Sequence, residues 1–155
     1  MNQTGHVFQI NISEGGVPKR AVQSSQVETL GLTGDKHQDV VHHGGPDKAI
    51  VLYSLEKILA LQQEGHPIYP GSTGENVTIT GVDWESIVPG KRIHLGRNVV
   101  LEITVYTKPC QTIVGSFADG DSNRILETQH PGWSRVSARV LQTGEVRIGD
   151  SVHID

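Results

Sequence analysis

The chain has 155 residues, 18 of them glycine and 7 proline, with aromatics at only 5%; this is the size of one domain with a buried core and many tight turns. A formal net charge of −4 argues against general affinity for DNA or RNA, which rests on phosphate neutralisation, but leaves room for a local basic pocket. A single cysteine rules out an intrachain disulfide or a CxxC pair, and neither a leader-like N-terminus nor a membrane-length apolar run is present; the expectation is a cytoplasmic chain forming one domain over 1–155.

In chain order, "GHVFQINI" alternates Phe8, Ile10 and Ile12 against Val7, Gln9 and Asn11, a first strand. "SEGGVPKRAV" turns at Gly15, Gly16 and Pro18. The stretch "QSSQVETLGLTGDKHQDVVHHGGPDK" has weak periodicity, and "AIVLYS" suits a buried strand. "SLEKILALQQEG" predicts a helix: Ser54 caps it, Leu55, Ile58, Leu59 and Gln62 share a face, and Gly65 ends it before Pro67. "GSTGENVTITG" passes from a glycine loop into a strand, and "VPGKRIHLG" is a strand after a Pro-Gly turn.

In "VVLEITVYTKPCQTI", Val99, Leu101, Ile103 and Val105 face one way, and Pro109, lacking an N–H, should stop the strand near Lys108. "ADGDSNRILET" suits a short helix capped by Asp121 or Ser122. The end, "RVSARVLQTGEVRIGDSVHID", holds two or three short strands separated by turns at Thr143-Gly144 and Gly149-Asp150. Short strands outnumber helices, so the predicted class is mainly β, a closed or nearly closed β-barrel with one or two helices packed on it. Exposed barrel edges are compatible with an oligomer.

Chemistry concentrates in three stretches. Cys110 sits in a loop after a proline, a poor place for inert filler, with Lys108 close enough in sequence to favour thiolate; a packed cysteine is the plain alternative. "GLTGDKHQDVVHHGGPDK" carries His37, His42 and His43 with Asp35, Asp39 and Asp47. Adjacent His42 and His43 would point to opposite faces of a strand, so a polar loop is a better reading than a metal centre built from these histidines. Lys36, His37, His43 and Lys48 are then donors to an anion. "GSTGEN" lacks the Lys-Ser/Thr of a P-loop and is read as a turn rather than a phosphate cradle.

Taken in order, "GGVPK", "GLTGDKHQ", "HHGGPDKAIVLYS", "GENVTITG", "KPCQTI" and "GWSRVSARVLQTGEVRIGDSVHI" resemble the MOSC domain, the family named for the C-terminal domain of molybdenum-cofactor sulfurases, in its small free-standing bacterial form. The resemblance implies a β-barrel that binds the pyranopterin molybdenum cofactor, with Cys110 as the molybdenum ligand and catalytic residue or, alternatively, as a sulfur carrier that forms a persulfide. It implies Asn76 of the GEN motif as a pocket residue. Lys36, His37, His43, Lys108 and Arg135 are the candidates for cofactor contacts. On this reading the function is an oxidoreductase component that reduces N-hydroxylated small molecules, served by a separate redox partner, or else by a sulfur donor protein if it is a carrier. A third reading is a non-catalytic binding barrel.

Overall fold

The computed structural model describes residues 3–36 and 44–155. Eleven strands are present among these residues: β1 (Gln3–Ile12), β2 (Arg20–Val22), β3 (Ser24–Glu28), β4 (Gly31–Leu32), β5 (Ile50–Ser54), β6 (Val77–Thr80), β7 (Arg92–Leu95), β8 (Val99–Tyr106), β9 (Val136–Gln142), β10 (Gly144–Arg147) and β11 (Ser151–Ile154). The main sheet runs β11-β7-β8-β9-β5-β6-β1-β2, and a further β11–β1 pairing closes seven of its strands into a barrel. Every neighbouring pair in the ring is antiparallel except β5–β6. β3 pairs with β10 on one side and β4 on the other in a small second sheet, built partly from the stretch whose periodicity was too weak to predict strands.

The barrel forms because apolar side chains on each strand point inward and leave no open edge within the ring. Ile10, Leu52, Ile79, Ile93, Leu101, Ala138 and Val152 are all buried there. Two irregularities shift the predicted alternation. A break in register between Val7 and Gln9 buries Val7 and leaves Phe8 exposed, because an extra residue reverses the side-chain phase. A second break, between Ile103 and Val105, turns Val105 outward. β8 stops at Tyr106, earlier than expected, so Lys108 and Cys110 do not share a strand face.

The single α-helix among the described residues, α1 (Leu55–Gln63), begins where Ser54 accepts a hydrogen bond from the Lys57 backbone N–H, as the sequence predicted. Its buried face is set by Ile58 and Leu61, while Leu59 points to solvent. The predicted face was therefore displaced by about one position. Short 3-10 turns fill the loops, among them Ser122–Ile125, capped by Asp121.

The register sets Ile10, Val77, Leu52, Val136 and Tyr106 in one row across β1, β6, β5, β9 and β8, so β6 and β9 begin, and β1 and β8 end, near the same level. The loops that follow β1 and β8 and precede β6 and β9 therefore meet there.

Candidate functional site

Where these loops meet lies a cavity of about 230 Å³, lined by Lys19, Lys36, Asn76, Cys110, Thr112 and Arg135 together with Gly16, Val17, Val51, Thr73, Gly74, Thr107 and Ile113. Cys110 arrives there because the chain leaves the sheet just beyond Thr107, whose N–H still bonds the Arg135 carbonyl. Extended at φ −135° and ψ 176°, Cys110 precedes a 3-10 turn, Gln111–Ser116, without using its side chain as a cap. The half-buried thiol instead lies 2.8 Å from Thr112 Oγ1. Ser116, at the end of that turn, donates to Ser72 Oγ at 2.9 Å, which fastens the cysteine loop to the glycine loop before β6.

Arg135 ties the same two loops together from below. It is 5% exposed, and its Nη1 donates to the Thr73 carbonyl at 2.6 Å while Nη2 donates to the Lys108 carbonyl at 3.3 Å. Nε is buried and has no hydrogen-bond partner among the described residues. Burial lowers the pKa of the guanidinium, against the charges of Glu75, Tyr53 and Cys110. Glu75 is fully buried; it accepts from the Gly71 N–H at 3.0 Å and from the hydroxyls of Thr73 and Thr78 at 3.0 and 3.2 Å. Desolvation nevertheless raises its carboxyl above the usual range. Thr73 thus joins the two, its hydroxyl on Glu75 and its carbonyl on Arg135.

Asn76 is a cross-link as much as a wall residue. Its Oδ1 accepts from the Val51 N–H at 2.9 Å, and its Nδ2 donates to Asp35 Oδ2 at 2.8 Å. Asp35 has no exposed side-chain surface; its Oδ1 receives the Ser13 N–H at 2.8 Å and Lys19 Nζ at 2.6 Å. Asp35, read from sequence as part of a polar turn, is therefore the buried anchor of a network that reaches the cavity through Lys19 and Asn76.

The structure thus brings Cys110, Arg135, Asn76 and Lys36 to one cavity. Lys108 is exposed and lines a separate groove with Pro89, Val105, Tyr106 and Leu126; it contributes its carbonyl to Arg135, not its ammonium to the thiol. His37 and His43 lie outside the described residues. Among the described residues no group of three His, Cys, Asp or Glu side chains is placed to hold a metal ion, and no helix is long and apolar enough to cross a membrane. Sequence reasoning did not single out Lys19 or Thr112 for the cavity. Thr112 carries a local signal, a hydroxyl two residues after the cysteine, whereas the place of Lys19 depends on its distant partner Asp35.

Fold and cavity define a small closed β-barrel that presents one thiol in a basic pocket. The chain belongs to the MOSC domain family, whose sequence profile matches residues 39–153. It is 29% identical to YflK of Bacillus subtilis over 143 residues, covering 91% of this chain and 63% of YflK. A reductase of Gibberella moniliformis is 30% identical over 129 residues, 80% of this chain. The chain spans only 22% of that reductase. Among solved structures, YuaD of Bacillus subtilis superposes with a TM-score of 0.78 at 19% identity, covering 99% of this chain and 97% of that one. YiiM of Geobacillus stearothermophilus gives 0.76 at 21% identity, over 97% of this chain and 75% of its own. At these identities the structural likeness establishes the barrel fold, in agreement with the mainly β prediction.

Proposed function

We propose that the cavity binds the pyranopterin molybdenum cofactor, that Cys110 serves as the protein's ligand to the metal, and that the chain acts in reducing N-hydroxylated compounds. The observation that carries this reading is a half-buried thiol on the wall of a cavity whose charged lining residues among those described, Lys19, Lys36 and Arg135, are all cationic. Family membership supports it, and so does the name of the Gibberella relative, a reductase.

The donor set fits such a group. Molybdenum takes soft thiolate ligands, so one cysteine suffices where a cofactor supplies the other sulfurs, and no cluster of protein ligands is needed. The cofactor is anionic through its phosphate, and the cavity offers a buried guanidinium with an unpartnered Nε and two lysines. Asn76, Lys36 and Arg135 are the described residues that would hold the cofactor; Cys110 would hold its metal. When bound, the cofactor supplies the two-electron chemistry.

The remaining roles belong to the chain. Arg135 fixes the cysteine loop through the Lys108 carbonyl, which sets where the thiol stands. Thr112 Oγ1 lies 2.8 Å from Sγ, within hydrogen-bond reach of the sulfur. Pro109 and the 3-10 turn after Cys110 keep the loop from rejoining β8. A separate electron donor is part of the proposal, because the sequence carries no flavin or iron–sulfur motif.

The test is the molybdenum content of protein purified from a cofactor-producing host, beside its Cys110→Ser variant. Near-stoichiometric metal that is lost on substitution is expected. Equal metal in both proteins removes Cys110 from the ligand set, and no metal in either, with host supply confirmed, removes the cofactor.

A further inference from the structure

We infer that Glu75 takes up a proton from solvent when an anionic group binds at Arg135, so that the Cys110 cavity couples anion binding to proton binding. The inference rests on the proposed reading of Arg135 as a residue that receives an anion, and it gives a role to a buried carboxylate which that reading leaves unused.

Glu75 and Arg135 are each buried without the partner their charge calls for. Glu75 has no exposed surface, and its carboxylate is held by three neutral donors, the Gly71 N–H and the hydroxyls of Thr73 and Thr78. Arg135, 5% exposed, directs Nη1 and Nη2 to the carbonyls of Thr73 and Lys108, and Nε is buried with no partner among the described residues. The two side chains meet through Thr73, whose hydroxyl donates to Glu75 at 3.0 Å and whose carbonyl accepts from Arg135 at 2.6 Å. Arg135 also lines the cavity, where the described wall residues include no acid, so an entering anion meets a cation short of both charge and hydrogen bonds.

The other groups facing Glu75 are uncharged. β1 brings the Asn11 amide, which donates to the Glu75 carbonyl, and β6 brings Thr78. β5 brings Tyr53, a phenol that donates to the Trp133 carbonyl and whose ionisation burial suppresses. Lys19 and Asp35 neutralise each other beside Asn76. Arg135 is therefore the cation that favours ionised Glu75, against the desolvation that disfavours it. An anion on Arg135 cancels that support in a low-dielectric interior, and the carboxylate binds a proton. The Thr73 hydroxyl, able to accept as well as donate, receives the new acid O–H. Linkage makes the effect reciprocal: neutral Glu75 leaves the charge of Arg135 unopposed, and the anion is held more tightly. Anion affinity thus rises as the pH falls through the anion-bound value of Glu75, and levels off below the anion-free value, which itself lies above the usual carboxylate range.

Sulfate is the probe, because it stays a dianion over the range in which glutamates titrate, from about pH 4 exposed to about pH 9 buried. Protection of Cys110 from iodoacetamide by sulfate locates the anion in the cavity. Proton uptake on binding is read by calorimetry in pairs of buffers with different heats of ionisation, for wild type and Glu75→Gln across that range. Wild type should take up more protons per sulfate than the variant, by a difference approaching one. Its affinity should rise by up to about tenfold per pH unit where that difference is largest, a slope that Glu75→Gln lacks. The Cys110 thiol and every other titrating group contribute alike to both proteins, so the difference belongs to Glu75. Should Glu75→Gln fail to fold, the infrared carbonyl band of a buried protonated carboxyl should grow as sulfate is added to wild type. Equal uptake in the two proteins, or a carboxyl band indifferent to sulfate, overturns the inference and leaves Arg135 its anion. Failure of sulfate to bind, with Cys110 unprotected, overturns it together with the anion-holding role of Arg135. The molybdenum content of the same preparation reports separately on Cys110 as the metal ligand.

Discussion

Removing the amide of Asn76 should destabilise the barrel substantially, and the size follows from its partners. Asn76→Ala leaves the Val51 N–H without the acceptor at 2.9 Å and Asp35 Oδ2 without the donor at 2.8 Å. An unsatisfied buried group costs about 1–3 kcal/mol, and a lost hydrogen bond to a charged group about 1.5–3 kcal/mol. Asn76 lines the cavity, so water entering it offsets part of this. The expected loss is about 3 kcal/mol, or a fall in Tm of about 6–12 °C for a chain of this size. Urea denaturation at constant slope is the assay. Asn76→Asp keeps an acceptor for Val51 but sets a carboxylate against Asp35, so it should be at least as destabilising as the alanine. A loss below about 1 kcal/mol in Asn76→Ala, or an aspartate variant as stable as wild type, would falsify the assignment of Asn76 as a cross-link and leave it only a wall residue.

Gly71→Ala should cost more than about 1 kcal/mol in the same assay, because φ is +92° and the new Cβ would stand 2.6 Å from the Lys19 carbonyl; Gly115→Ala, with nothing within 4 Å, should be nearly silent. Trp84→Phe should lose about 1 kcal/mol by thermal denaturation, since the indole N–H donates to the Ser134 carbonyl at 2.8 Å inside the core. Glu64 is held below the usual carboxylate range first by its hydrogen bond from Arg124, so its contribution is present above the unfolded pKa of about 4.3 and is lost as the pH falls through the lower folded value. The stability gap between wild type and Glu64→Gln should therefore shrink on acidification through that window, measured as Tm against pH. The pair is solvent-exposed, so the gap should be small and reduced by salt.

The features legible in the sequence are local. Period-two alternation located β1, β6 and β8, a short apolar run located β5, a Pro-Gly turn marked the start of β7, and capping chemistry located α1, because all of these depend on neighbours a few residues apart. Pro109 and the lone thiol also marked the loop where Cys110 emerges. Local pattern failed at the breaks in register that exposed Phe8 and Val105, since those depend on what the partner strand offers opposite them. β2, β3 and β4 were missed for a related reason: they are short, and two of them belong to a sheet completed by β10, more than a hundred residues away.

The site divides in the same way. Cys110, Asn76 and Arg135 were named from residue type, motif and resemblance. Long-range packing makes Arg135 span two loops with Nε lacking a partner among the described residues, places Lys108 on a groove apart from the thiol's cavity, and makes Asp35 a buried anchor tied to Lys19. Closing the barrel brings Lys19, Asn76, Cys110 and Arg135 to one cavity, with Asp35 bonded to Lys19, Asn76 and Ser13 behind it. Whether a polar side chain there is satisfied depends on partners tens of residues away, and no local pattern records them.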